Sequence, residues 1–374
     1  MSFTQLKYSQ IDIIGGGCAA FSLARLIKKF PLKNINLFVG KKFDHNKDHF
    51  WGFWKNEFNE DAYKNADHIW YKWSICTENS NIILSSKTHP YCAIKKKKWL
   101  SFCHLELKNI KVNYIKENII ESDDALFVSD KEITSELVFD SRPPETPPNI
   151  MLQHFQGYVV ETNEDVFDDT TAILMDFRCD QSRGIHFIYL LPFTKKKALV
   201  ESTMFSKKIQ NKSFYKNEIS NYLKKYFNLT SFSTSGYEEG VIPMHQISVK
   251  SQHSFSIGTR GGAVRPSSGY AFTFIQKQVF QIFNQIRKGS FINTKIHNNL
   301  DLFLDKVFIS VIDKYPQLAP KIFSSLARKL NGDEMAQFMS GECSKLTILK
   351  VIFAMPKLPF IKSFMLMLGS NARN

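Results

Sequence analysis

Apolar and polar positions change their spacing several times along the chain, and each change marks an element. Ile11, Ile13 and Ile14 read as a buried strand that runs into Gly15, Gly16 and Gly17. Beyond the glycines, Ala20, Leu23, Leu26, Ile27 and Phe30 recur at helical spacing up to Pro31, and INLFV at 35–39 reads as a second buried strand. Together they predict a βαβ unit. From 44 to 135 short apolar stretches alternate with lysines, and ELVFDSRPP ends a strand at Asp140 with a turn forced by Pro143 and Pro144. Residues 145–205 then carry strand-like alternation in QHFQGYVVE, TAILMDFR, GIHFIYLLPF and KKALVESTMF. This pattern predicts an antiparallel sheet inserted into the α/β unit. Phe214, Ile219, Tyr222, Leu223 and Tyr226 predict a helix with Ser213 as N-cap. Residues 254–257 predict a strand feeding a second glycine-rich turn, and Ile275, Val279, Ile282, Phe283 and Ile286 predict a helix that stops near Gly289. The remainder reads as helical, with one amphipathic stripe at Leu300, Phe303, Leu304, Val307, Phe308 and Val311. Its tail, SKLTILKVIFAMPKLPFIKSFMLML, is apolar around most of its circumference and studded with Lys345, Lys350, Lys357 and Lys362.

Composition narrows the function classes. A chain of 374 residues has room for two or three structural units. Its 49 Lys and Arg against 35 Asp and Glu give a formal net charge of +14, partly in the runs Lys95–Lys98, Lys195–Lys197 and Lys207-Lys208. These read as a solvated basic face rather than a nucleic-acid site. With a lipidic substrate the same charge would attract an anionic membrane surface, at roughly 1 kcal/mol per basic side chain near the headgroups. Six cysteines without a C-x-x-C, and a polar start MSFTQLKYSQ, point to a reducing, cytosolic setting. No run of about 18 apolar residues predicts a simple transmembrane helix. Histidine and cysteine spacings predict no metal site.

Gly15, Gly17 and Ala20 match G-x-G-x-x-[GA] after a strand and at the start of a helix. That context suits a dinucleotide whose pyrophosphate sits on the helix N-terminus. The acid expected after the second strand, to bind the ribose, is replaced by Gly40 followed by Lys41 and Lys42. Asp44 or a backbone group is left to substitute, and the two lysines keep a 2′-phosphate, hence NADP, in contention. The second loop, GTRGGAVRPSSGYAF, places Gly258, Gly261, Gly262, Pro266 and Gly269 ahead of a helix. It resembles the second nucleotide-contacting motif of flavoproteins of the aromatic-hydroxylase type, which implies FAD lying extended between two domains.

A narrower resemblance runs over residues 9–290. IDIIGGGCAA, DHFWGFW, VFDSRPP, QHFQGYVVETNEDVFDDTTAILMDFR, FIYLLPF, ALVESTMFS, EEGVIPM and GTRGGAVRPSSGYAF keep the order and spacing of the lycopene cyclases that make β-rings. The resemblance implies an α/β fold with an α+β insert. A Rossmann-like FAD-binding domain (1–144 and 238–290) would carry an antiparallel substrate-binding sheet (145–237), and residues 291–374 would form a helical, membrane-contacting region. It implies reduced FAD as the working cofactor, NAD(P)H as its reductant, and lycopene or a related linear carotenoid as substrate. Localisation would be cytoplasmic, at the inner face of the membrane, with no protein partner expected. Gly15, Gly17, Ala20, Arg142, Gly258, Gly261, Gly262, Pro266 and Gly269 would serve the cofactor. The chain departs from the family pattern at Gly40 and at SRPP, where Arg-Gly is usual after the Asp.

Ring closure at a carotenoid end is an acid-catalysed isomerisation, so the site needs a carboxyl kept protonated by a dry, apolar wall. Glu201, isolated among strand-forming apolar residues, fits; strand alternation leaves open whether it faces inward or toward water, and the resemblance favours it as the acid. Glu238 and Glu239 are candidates for the base or for orienting the flavin. Asp48 is a further catalytic candidate or a cofactor-pocket residue. Trp51, Phe53, Trp54, Phe187 and Tyr189 offer faces for a cation or simply core. Two other activities use the same architecture: an FAD monooxygenase acting on a lipid, and a non-catalytic carrier of prenyl lipids.

Overall fold

The computed structural model describes residues 9–30, 34–44, 47–108, 112–123, 125–247, 249–289 and 296–371. A five-stranded parallel sheet has the order Phe255–Ser256, Leu137–Asp140, Gln10–Ile14, Asn34–Phe38, Val112–Ile115. Its strands are apolar runs because both faces are covered. The helix Cys18–Ile27 lies on one face with the helices Lys96–Leu107 and Phe272–Arg287, and Ile11, Ile13, Leu23, Ile27, Trp99 and Phe274 are fully buried there. The strand ends at Asp140, as expected, ahead of Pro143 and Pro144. The chain leaves the parallel sheet at Asp140 and returns to its edge at Phe255.

Between these points it builds five strands of a seven-stranded sheet, ordered Ser233–Pro243, Leu152–Glu161, Lys197–Ser206, Ile185–Thr194, Thr171–Asp176, Lys72–Thr77, Ser80–Ser85. Two corrections to the sequence reading follow. The sheet recruits Lys72–Thr77 and Ser80–Ser85 from inside 1–144 and continues to Pro243, beyond the expected boundary at 237. It is also mixed, since Thr171–Asp176 pairs Lys72–Thr77 in parallel. Long-range strand pairing carries no local signature that a window of sequence could reveal.

The pleat divides this sheet into two different environments. Val160, Ile188, Leu190, Ala198 and Val200 point to one face, under the helix Lys212–Phe227. That helix is capped by Asn211, whose side chain accepts from the Phe214 amide at 2.9 Å, rather than by Ser213. Phe187, Leu191, Leu199 and Phe205 point to the other face, toward the C-terminal helices Asn299–Lys314, Ala319–Lys329 and Gly332–Met339. The apolar tail forms two helices, Lys345–Ala354 and Lys357–Asn371. They break only at Met355-Pro356; Pro359 sits in the first turn of the second helix, where its missing amide costs nothing. Among the described residues no helix is long and apolar enough to cross a membrane.

Candidate active site

The first glycine loop leaves the sheet at Ile14, and the Gly15 amide donates to the Phe38 carbonyl at 2.8 Å. The first intrahelical bond runs from Phe21 to the Gly17 carbonyl, so the amides just before it have no partner within the helix. No acidic residue stands in that first turn. The second loop rests on the first: Gly258 has φ +64°, and a Cβ there would meet the Ala19 Cβ at 2.8 Å. A larger residue at 258 would therefore both strain the backbone and force the loops apart. Gly17, Ala19, Gly258 and Gly269 line one cavity, of about 550 Å³. Ala20 packs in the helix–sheet core, and Gly261, Gly262 and Pro266 shape the loop without lining the cavity.

Arg142 does not reach that cavity. Its guanidinium folds back on Asp140 (Nη2 to Oδ2, 2.7 Å), on Glu121 (3.0 Å) and on the Ile119 carbonyl (3.0 Å). Its cofactor assignment is thereby replaced by a structural clamp. The place of the missing acid at Gly40 is approached by Asn118, whose side-chain oxygen accepts from the Lys41 amide at 3.0 Å. Lys41 itself pairs with Glu117 at 2.8 Å, so it is not free for a 2′-phosphate.

The cavity continues from the glycine loops along the inner face of the large sheet. Trp51, Trp54, Phe187 and Tyr189 line it, whereas Phe53 is core and packs at a tilt against Phe272. Glu201 opens onto this space and is 6 % exposed. In register, Glu201 lies opposite Gly157, and on the far side of Gly157 lies Glu238, also 6 % exposed. A Cβ at 157 would stand 3.2 Å from both the Glu201 Cβ and the Glu238 Cγ. The absent side chain therefore clears the space in which the two carboxyls meet in hydrogen-bond contact across the central strand. Two carboxyls make that contact only if one holds a proton.

Burial, then the Glu238 charge, raises the Glu201 carboxyl well above its ordinary value, against a hydrogen bond donated by Thr203. Burial likewise pushes Glu238 up to about 7, moderated by the Phe50 amide, which donates to its Oε2 at 2.9 Å. Among the described residues, no Lys or Arg pairs with either carboxyl. Glu239 behaves oppositely. It accepts from Tyr237 (2.5 Å) and pairs with Lys212 (3.1 Å) and Lys47 (3.7 Å), which hold it below the usual carboxylate range. Of the two adjacent glutamates, 238 is the one turned to Glu201. Glu239 also lines the apolar cavity, there as a charge-paired carboxylate rather than a protonated acid. The placing of Asp48 is corrected: it accepts from the His49 and Lys97 amides and lines a separate pocket beside Glu238, not the apolar cavity. The sequence signal for this arrangement was Gly157 itself, since a glycine inside a strand marks close approach of other groups.

A profile of the lycopene cyclase protein family matches residues 10–362. The chain belongs to that family. No curated protein sequence matches it significantly. Solved structures share the fold at low identity. A geranylgeranyl bacteriochlorophyll reductase-like protein from Thermoplasma acidophilum has 12 % identity and a TM-score of 0.60, over 96 % of this chain and 98 % of that one. A flavoprotein/dehydrogenase from Cytophaga hutchinsonii has 11 % identity and a TM-score of 0.63, over 97 % and 99 %. The flavin-dependent brominase Bmp2 has 12 % identity and a TM-score of 0.57, over 98 % and 99 %. In this lycopene cyclase family member the architecture is thus the flavoprotein fold, with a parallel sheet and a helical C-terminal region.

Proposed function

We propose that this protein closes β-ionone rings on the ends of lycopene, giving γ-carotene and then β-carotene, with FAD held between the two glycine loops. The observation that carries the reading is Glu201: an uncharged-by-burial carboxyl, without a cationic partner, on an aromatic-walled cavity that begins at a dinucleotide loop. The free amides at the start of Cys18–Ile27 suit a pyrophosphate, and Gln153 Oε1, buried without a partner on the same cavity, suits a cofactor donor. Reduced FAD, when bound, supplies negative charge near the developing cation, and NAD(P)H serves as its reductant.

The residues' own part is a proton cycle. Glu201 gives its proton to the terminal double bond, leaving a tertiary carbocation. The neighbouring double bond attacks that centre and closes the six-membered ring. The ring then loses a proton to the Glu201 carboxylate, so bonds, charges and electrons balance with no net oxidation. The aromatic faces of Trp51, Trp54 and Phe187 stabilise the cation while excluding water.

The polyene comes from a membrane. Leu346, Phe353, Leu358, Ile361 and Met365 are exposed on the two tail helices beside Lys345, Lys357 and Lys362. An apolar surface studded with lysine suits the cytoplasmic leaflet. A chain truncated after Glu342 that still pellets with anionic vesicles would remove this docking role.

Expression in lycopene-accumulating cells, beside a Glu201→Gln version, tests the reaction. β-Carotene from the first and none from the second is expected. Unchanged lycopene, with FAD bound and oxygen and NAD(P)H consumed together, would favour the monooxygenase; neither flavin nor product would favour the lipid carrier.

A further inference from the structure

The carboxyl pair sits between two adjoining cavities, one mostly apolar and one of mixed polar and apolar lining. Glu201 lines the apolar cavity, and Glu238 lines a second pocket of about 570 Å³ together with Asp48, Asp67, His49, His68 and Lys97. Neither glutamate lines the other's space, although His49 and Phe50 line both, and the two carboxyls approach each other in the gap left by Gly157. A proton on Glu201 is therefore bordered on the substrate side by a mostly apolar, aromatic-rich cavity, and in contact with a second pocket on the other side through one carboxyl. We propose that Glu238 is a proton conduit: it connects Glu201 to solvent in the second pocket and sets the proton that each ring closure uses. This rests on the cyclase reading above.

The neighbours of Glu238 agree with such a role. Its Oε2 is held by the Phe50 amide, an uncharged donor that fixes the carboxyl without trapping its proton as an ion pair would. Asp48 faces it from the loop before Phe50–Trp54, and Tyr189 lies near it from the strand beyond Glu201. Burial and Lys96 push His49 down to about 4, so at neutral pH it is a neutral ring able to pass a proton rather than a fixed positive charge. The balance per ring is zero. Glu201 loses one proton to the double bond and regains one from the ring carbon. Exchange through Glu238 decides only whether that regained proton is handed to the next substrate or replaced from water.

Deuterium oxide reads this distinction. The purified full chain, with FAD, a reductant and lycopene in vesicles, is run for many turnovers in D₂O, and deuterium per ring is measured by mass spectrometry. In the wild type exchange precedes each turnover, and close to one deuterium per ring is expected. In Glu238→Gln the amide cannot carry the proton, so ring closure continues on the recycled proton while the deuterium per ring falls several-fold. Gly157→Ala, which crowds the contact without removing either acid, should lower the label in the same direction. Full labelling in both variants would overturn the conduit, because the proton would then arrive through the apolar cavity. Loss of all ring closure in Glu238→Gln, with Gly157→Ala fully labelled, would overturn it in favour of Glu238 as a reacting group. A wild type that forms no ring would overturn the cyclase reading and the conduit together.

Discussion

Buried acids of two kinds occur among the described residues, and they do opposite things. Asp140, fully buried at the end of the parallel sheet, is met by Arg142 at 2.7 Å and by Arg260 at 3.2 Å. Asp176, equally buried in the large sheet, is met by Arg178 at 2.6 Å and by the Tyr222 hydroxyl at 2.7 Å. Glu201 and Glu238 are buried to a similar degree but are met by each other, a threonine hydroxyl and a backbone amide. Burial alone therefore does not make an acid. A guanidinium turns a buried carboxylate into a strut, whereas a second carboxyl forces a proton to stay.

The largest effect expected from testing this contrast is on the reaction. Glu201→Gln keeps the volume and removes the proton, and product chromatography should show ring formation reduced about 10²–10⁴-fold. Asp140→Ala should leave any catalytic group in place but leave Arg142 and Arg260 with Glu121 as their one acidic partner, costing about 2–4 kcal/mol in urea unfolding. A similar loss of activity without loss of stability would erase the distinction between the two kinds.

Glu238→Gln sharpens the comparison through pH. Glu238 is raised from 4.5 to about 7 in the folded state, so the folded protein binds more protons there than the unfolded chain. Its contribution is fully present below about pH 4.5 and is lost as pH rises through about 7. The stability difference between wild type and Glu238→Gln should shift over that window by on the order of 3 kcal/mol, measured by denaturant titration at each pH. A flat difference would mean the pair does not hold its proton. Gly157→Ala should cost about 1–3 kcal/mol by overpacking, since its Cβ would press on both carboxyl stems. Glu239→Gln should change stability by less than about 1 kcal/mol and affect ring formation far less than Glu201→Gln, because Glu239 is a half-buried ion-pair member that holds no proton to give.

Legibility in the sequence followed the range of the interaction. The βαβ unit around Gly15–Gly17, the second loop at Gly258 and the helix ending at Gly289 were readable because each depends on neighbours in the chain. Glu201 was readable as a carboxyl in an apolar strand, though not which way it faced. Which of Glu238 and Glu239 turns to Glu201, the pocket that Asp48 lines and the reach of Arg142 were not recoverable. Each depends on strand register or on a partner far along the chain: Glu121 for Arg142, Lys212 for Glu239, Lys97 for Asp48.

By itself, then, the order of residues determined the local elements, the two glycine turns and the supply of carboxyls in apolar strands. Hydrophobic period and backbone freedom are properties of short stretches. Only the tertiary structure decided which carboxyls meet. That depends on Gly157 lying in register between Glu201 and Glu238, and a shift of one residue in either pairing would turn one of them to the opposite face.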